Sequence, residues 1–201
     1  MKTLNSLLAI SLITLTITSS TVVLANNPDQ SDKSKNVETV SASKVSIASI
    51  KRIVVTGDVE VTLSQSPKSK VLYTNDGANA INLRKIGNVL YIDGKGSQGA
   101  KVTVYVDDIY RIDAAQNAVV HSNNTLHLKY LQVYLKDNAY LDLNAKTESL
   151  LTVMENASQL NLKGTTDFHT VTMDKTSRIM VDGFKSKETD RRSDVYVASR
   201  K

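Results

Sequence analysis

Asp137-Asn138-Ala139-Tyr140-Leu141-Asp142-Leu143, Glu155-Asn156-Ala157-Ser158-Gln159-Leu160-Asn161-Leu162 and Asp174-Lys175-Thr176-Ser177-Arg178-Ile179-Met180-Val181 are three copies of one pattern, a polar turn followed by an alternating apolar run. A fainter copy, Gln116-Asn117-Ala118-Val119-Val120, precedes them. Counted from Asn117 to Asn138, Asn156 and Lys175, the spacings are 21, 18 and 19 residues. Self-similarity at a short, near-fixed period is the mark of a solenoid, in which a coil buries its apolar edge only by stacking on its neighbours. At about 3.3 Å per residue such a period runs once round a narrow coil of short strands and tight corners. Leu141 and Leu143, then Leu160 and Leu162, then Ile179 and Val181 are expected to stack inward, with Asp142, Asn161 and Met180 facing out. Ala118, Ala139 and Ala157 suit a corner where a larger side chain would push coils apart.

Upstream, the period of two persists. Ile53, Val55, Val59, Val61 and Leu63 alternate around the turn Thr56-Gly57-Asp58, and Val102, Val104 and Val106 alternate through 101–107. Val71-Leu72-Tyr73 and Val89-Leu90-Tyr91-Ile92 follow turns at Pro67 and Gly87-Asn88. No stretch after residue 25 sustains apolar residues at helical spacing. The expectation is an all-β single domain, a β-helix-like solenoid with short coils, over residues 45–201.

The N-terminus reads as an address. Lys2, the apolar stretch from Leu7 to Ile17 and Val23-Leu24-Ala25 before Asn26 have the order of a secretory signal peptide over 1–25. An uncleaved anchor is the alternative, but a membrane span needs about 20 predominantly apolar residues. Residues 26–44 are polar and read as a flexible tether. The chain has no cysteine, so it has no disulfide and no lipid-modified cysteine. Export is expected, to the periplasm, the cell surface or the medium. Losing residues 1–25 removes one Lys and takes the formal charge from +5 to +4. The basic pairs Lys51-Arg52, Arg84-Lys85 and Arg191-Arg192 are dispersed, as on a solvated strand face, and no basic stripe interleaved with aromatics points to nucleic acid.

Candidate chemistry is sparse. Gly94-Lys95-Gly96-Ser97-Gln98-Gly99 spells G-x-G-x-x-G, but a dinucleotide site needs a helix next, and Lys101–Val106 reads as a strand. His121, His127 and His169 are scattered and have no Cys to join them at a metal. Asp107-Asp108 ends a strand and points to opposite faces. Asp137, Glu155 and Asp174 precede equivalent turns and would form an acidic ladder, either a calcium site or, more plainly, turn caps. No nucleophile motif is present, and no catalytic, cofactor or metal residue is assigned. Tyr130, Tyr134 and Tyr140 cluster in sequence, as sugar-contacting rings or as ordinary strand residues.

The run from Ile50 to Ser66, with Val54-Val55-Thr56-Gly57-Asp58-Val59, resembles the start of a bacterial family known as the head GIN domain, or putative auto-transporter adhesin family. Asn88-Val89-Leu90-Tyr91-Ile92, the Asn-Ala coils and Ser193-Asp194-Val195-Tyr196-Val197 resemble it too, so the likeness spans roughly residues 46–198. The resemblance implies a right-handed parallel β-helix-like domain, exported to the envelope, with no catalytic residues to carry over. The family often continues for another coil, so the last coil is expected to be missing or replaced by a partner. The auto-transporter half of the name calls for a membrane β-barrel with strands of about 10 residues, and nothing after Phe184 reads as one.

The expected function is therefore non-enzymatic: a rigid surface for envelope interaction, adhesion or carbohydrate contact, with a glycan or envelope protein as partner and no cofactor. Two alternatives stand beside it. One is a polysaccharide-degrading hydrolase or lyase on the same scaffold. The other is a structural subunit that self-associates through its terminal coil.

Overall fold

A computed structural model describes residues 42–47, 49–74, 81–97 and 99–193. The signal-peptide stretch, most of the tether and the Val195-Tyr196-Val197 run lie outside these residues. The described chain is all β: β1 Ala42–Ser46, β2 Arg52–Gly57, β3 Val59–Gln65, β4 Lys70–Thr74, β5 Asn82–Ile86, β6 Val89–Gly94 and β7 Ala100–Val106. There follow β8 Arg111–Ala115, β9 Val119–Ser122, β10 Leu126–His127, β11 Tyr130–Leu135, β12 Tyr140–Met154, β13 Gln159–Met173, β14 Arg178–Val181 and β15 Lys185–Ser193. β1 takes in residues 42–44, the last three of the stretch read as tether.

Nearly all pairings are parallel, and they form two ladders. The first runs β6-β2-β8-β11 and on through the second halves of β12 and β13 to β15. The second runs β7-β3-β9 and on through the first halves of β12 and β13 to β14. A tight corner joins the ladders within each repeat. Because parallel partners stand side by side in register, like residues stack into inward columns. One column reads Leu90, Ile53, Ile112, Val133, Thr152, Val171; another reads Val102, Val61, Val120, Leu141, Leu160, Ile179. Most of these side chains are fully buried, each worth about 1.5–3 kcal/mol relative to exposure.

The register is steadier than the Asn-to-Asn count suggests. Tyr140 pairs with Val119, 21 residues back, but every β12–β13 pair is offset by 19, as are the β13–β14 pairs. The expected spacing of 18 is thus one residue short. Residues 116–117, 137–138 and 156–157 all have positive φ, the two-residue signature of a type I′ turn. Such a turn admits Asn at either central position: Asn138 holds the second and Asn156 the first. The small corner residue is accordingly Ala118, Ala139, Ser158 and Ser177, all buried, with Ser158 Oγ 3.2 Å from Ser177 Oγ. Ala157 instead takes a left-handed φ of 61°, a strained position for a residue with a Cβ. The fourth corner is built another way. The Asp174 carboxylate accepts from the backbone N–H of Asn156 at 2.7 Å, Ser177 at 2.8 Å and Thr176 at 3.1 Å.

The stack does not follow chain order at its start. β2 lies between β6 and β8, and β3 between β7 and β9, so repeat 89–106 sits outside repeat 52–65. At this end the Gly87-Asn88 turn folds β5 back antiparallel on β6, while β4 runs antiparallel on β7 and carries β1 on its far side. These antiparallel strands cover one end of the stack. At the other end, among the described residues, β14 and β15 each pair only with β13.

Two positions near that end are tightly constrained. Gly164 stands where the chain leaves the second ladder, with φ of 100°, and a Cβ there would meet the Ala145 carbonyl oxygen at 2.1 Å. His169 continues the column Leu131, Leu150 and is only 5% exposed, with Nε2 3.1 Å from Thr152 Oγ1. Burial, reinforced by the Arg191 charge, lowers its pKa from 6.5 to about 4.

In urea denaturation, Gly164→Ala should lose at least about 2 kcal/mol, while Ala157→Gly gains about 0.5–1 kcal/mol. Between pH 6.5 and about 4 the unfolded chain protonates the His169 imidazole and the folded chain does not. The unfolded state therefore binds more protons, and stability falls as pH is lowered through that window. The loss is on the order of 2 kcal/mol after allowing for solvent near the open end. His169→Leu should flatten that slope. The Asp174 carboxylate, held below its usual range chiefly by the Asn156 N–H, acts in a separate window below about pH 4.

Candidate contact surfaces

The outward face of the first ladder is the most distinctive exterior surface. Its columns alternate with the buried ones, as strand geometry requires. One reads Tyr91, Val54, Asp113, Tyr134, Val153, Thr172, and a second reads Tyr130, Ser149, Phe168. Tyr130 and Phe168 are each 55% exposed and stand two strands apart, roughly 9–10 Å at the usual strand spacing. Arg111 places its guanidinium 3.7 Å above the Tyr134 ring and bonds Asp113, which also accepts from Arg52 at 2.8 Å. That anchoring fixes the Tyr134 ring as part of the face.

The three tyrosines divide. Tyr130 and Tyr134 lie on the first ladder's outer face, whereas Tyr140 opens β12 across the corner, on the second ladder, with its ring 5.9 Å from that of His121. Phe168, which sequence reading passed over, joins the face in place of Tyr140. The one signal that could have found it is the 19-residue offset through Ser149, once the register is right.

The acidic ladder dissolves on inspection. In register, Glu155 stands beside Lys136 and Asp174 follows it, while Asp137 aligns with Asn156, one position along. Lys136 Nζ is 2.7 Å from Glu155, and Asp137 Oδ1 accepts from Asn156 Nδ2 at 2.8 Å. Together with the Asp174 cap, each carboxylate is engaged by its own corner or an adjacent one. No group of three or more His, Cys, Asp or Glu among the described residues could hold a metal ion.

The remaining candidates are placed as follows. Gly94 ends β6, and β7 follows the loop, so G-x-G-x-x-G joins two strands. Gly57 and Gly94 stack at one corner, where a Cβ on Gly94 would come 2.7 Å from that of Val59, so close packing accounts for Gly94. Asp108 meets Lys51 at 2.7 Å just beyond β7. His127 bonds the Gln65 side chain through its backbone N–H, His121 lies outward and His169 inward, so the three do not converge. Of the basic pairs, Arg52 meets Asp113 and Arg192 meets Asp190, both at 2.8 Å, while Arg84 lies over the Tyr91 ring at 5.7 Å.

At the β14–β15 end lies a cleft of about 370 Å³, lined by His169, Val171, Met173, Ile179, Val181 and Phe184, with Ser186, Thr189, Arg191 and Arg192 at its rim. Val181 is 59% exposed although it holds the column position of buried Leu143 and Leu162. The inward reading of Ile179 and Val181 is right in register, but nothing among the described residues lies beyond them.

The fold has known relatives. Over 78% of this chain and 77% of the other, it superposes on a putative adhesin from Bacteroides fragilis NCTC 9343 with a TM-score of 0.68 at 14% identity. A putative lipid binding protein from Parabacteroides distasonis ATCC 8503 gives 0.58 at 9% identity, covering 76% of this chain and 78% of that one. A putative adhesin from the same strain gives 0.55 at 16% identity, covering 76% and 77%. At these identities the likeness is one of fold. No curated protein matches the sequence. The family model described as "Putative auto-transporter adhesin, head GIN domain" matches residues 49–194, and with three quarters of the chain inside that match, the protein belongs to this family.

Proposed function

We propose that this chain is an exported, non-catalytic β-solenoid of the right-handed β-helix kind, which presents a rigid outer face for contact at the cell envelope, with carbohydrate as the first partner class. The observation that carries the reading is the pair Tyr130 and Phe168, half exposed in one column of a stiff parallel ladder, with Tyr134 pinned by Arg111 four residues along the same strand. Flat amphipathic rings held at fixed spacing suit the apolar faces of sugar rings, and they lose little side-chain freedom on binding because the backbone beneath them is already ordered. Polar neighbours, Gln132, Ser149 and Thr170, surround the rings and could hydrogen-bond hydroxyl groups. Membership of an adhesin-class family supports the same reading. Export rests on the signal-like stretch 1–25, and the polar stretch after it would let the domain stand clear of its attachment point. Self-association through the terminal strands is the weaker reading, because Lys185, Lys187, Arg191 and Arg192 load β15 with the charge that discourages edge pairing.

Glycan-array binding by the folded chain, set against a heat-unfolded control with calcium present or chelated, tests this. Saturable binding by the folded form alone is expected, weakened about tenfold or more by Tyr130→Ala with Phe168→Ala. A blank array, or binding indifferent to that double substitution, would remove carbohydrate contact at this face and leave protein as the partner.

A further inference from the structure

The cleft at the β14–β15 end combines two features that the rest of the stack keeps apart. Its floor is apolar: Val171 and Met173 from β13, Ile179 and Val181 from β14, and Phe184 from the link to β15. Its rim carries a cation at an inward position. In the column Ile112, Val133, Thr152, Val171 the next residue is Arg191, so a guanidinium stands where an apolar side chain would continue the core. The proximity is felt by His169, whose protonation the Arg191 charge disfavours. Strand alternation turns Glu188 and Asp190 to the opposite face of β15, and Asp190 bonds Arg192 at 2.8 Å. No carboxylate among the described residues forms an ion pair with Arg191. The result is an apolar slot with one positive charge at its mouth that no carboxylate among the described residues pairs, at the lower end of the size range of small-molecule sites, about 300–1,000 Å³.

We propose that this cleft binds an aliphatic carboxylate, its chain lying along Val171, Met173, Ile179, Val181 and Phe184 and its head group paired with Arg191. The chemistry selects the ligand. An uncharged apolar molecule would leave the guanidinium without a counter-charge, whereas a small hydrophilic anion would leave the apolar floor wet. A guanidinium also meets a carboxylate with two parallel N–H donors, which orients the head at the mouth and sends the tail inward. This site is separate from the outer face argued above, and its ligand does not depend on that face.

The test is calorimetric titration of the purified chain with dodecanoate below its micelle concentration, with dodecyltrimethylammonium as the cationic counterpart of equal chain length. One dodecanoate per chain is expected, with the cation at least about tenfold weaker. Arg191→Gln and Val181→Asp both alter exposed side chains, so the fold should persist, which circular dichroism would check. Each should weaken dodecanoate about tenfold or more, while Ile86→Ala, an exposed side chain at the other end of the stack, should leave it unchanged. Four results would overturn the proposal: no saturable binding, equal binding of the cation, binding that survives both cleft substitutions, or tighter occupation by a second copy of the chain in concentration-dependent dimers. Displacement by an apolar peptide with a free C-terminal carboxylate, at lower concentration than dodecanoate, would assign the cleft to a protein partner and overturn it likewise.

Discussion

Parallel, in-register pairing of stacked repeats is the constraint on which the structure rests. Once Leu141 stands beside Leu160 and Leu160 beside Ile179, the choice of inward and outward face is made for every residue of those strands, because a slip of one position would exchange the two faces. The corners must then turn the chain without disturbing that register. The paired left-handed residues at 116–117, 137–138 and 156–157 do this at three successive corners. Small residues behind them, Ala118, Ala139, Ser158 and Ser177, keep the repeats at strand spacing. Register, corner geometry and core composition are thus one condition seen from three sides.

Much of this was readable in the sequence. The alternating runs identify the strands, and the leucine pairs identify the inward columns, because burial follows side-chain chemistry directly. The corners were harder. Asn tolerates either central position of a type I′ turn, so the Asn-Ala dipeptide marks a corner without fixing its phase, and Asp137 was set against Glu155 when it belongs beside Asn156. The displaced order of the first two repeats was out of reach for another reason. Which neighbour a strand chooses is a long-range matter, and repeats 52–65 and 89–106 carry equally good apolar edges, Ile53 and Val55 in one, Leu90 and Ile92 in the other.

The outer surface follows from the same register but obeys no pattern of its own. Tyr130 and Phe168 are 38 positions apart in the chain, two 19-residue offsets, and share a column only because Ser149 lies between them. No local motif joins them, so an exposed aromatic pair of this kind emerges from the fold and not from any stretch of sequence. The cleft at the β14–β15 end shows the converse case. Arg191 looks like one half of an ordinary basic pair, and only its place after Val171 turns it into a charge at the mouth of an apolar slot.

The two ends of the stack also differ mechanically. At one, antiparallel strands fold back over β6 and β7; at the other, among the described residues, β14 and β15 hold to a single neighbour, β13. A load applied from the C-terminal side would strip the ladder from that exposed edge, breaking the bonds of one repeat before reaching the next. Each step would release about 60 Å of extended chain, the length of one 19-residue repeat. A protein standing between a surface and a partner would then yield in instalments, dissipating the pull over many small failures while the covered end stayed intact.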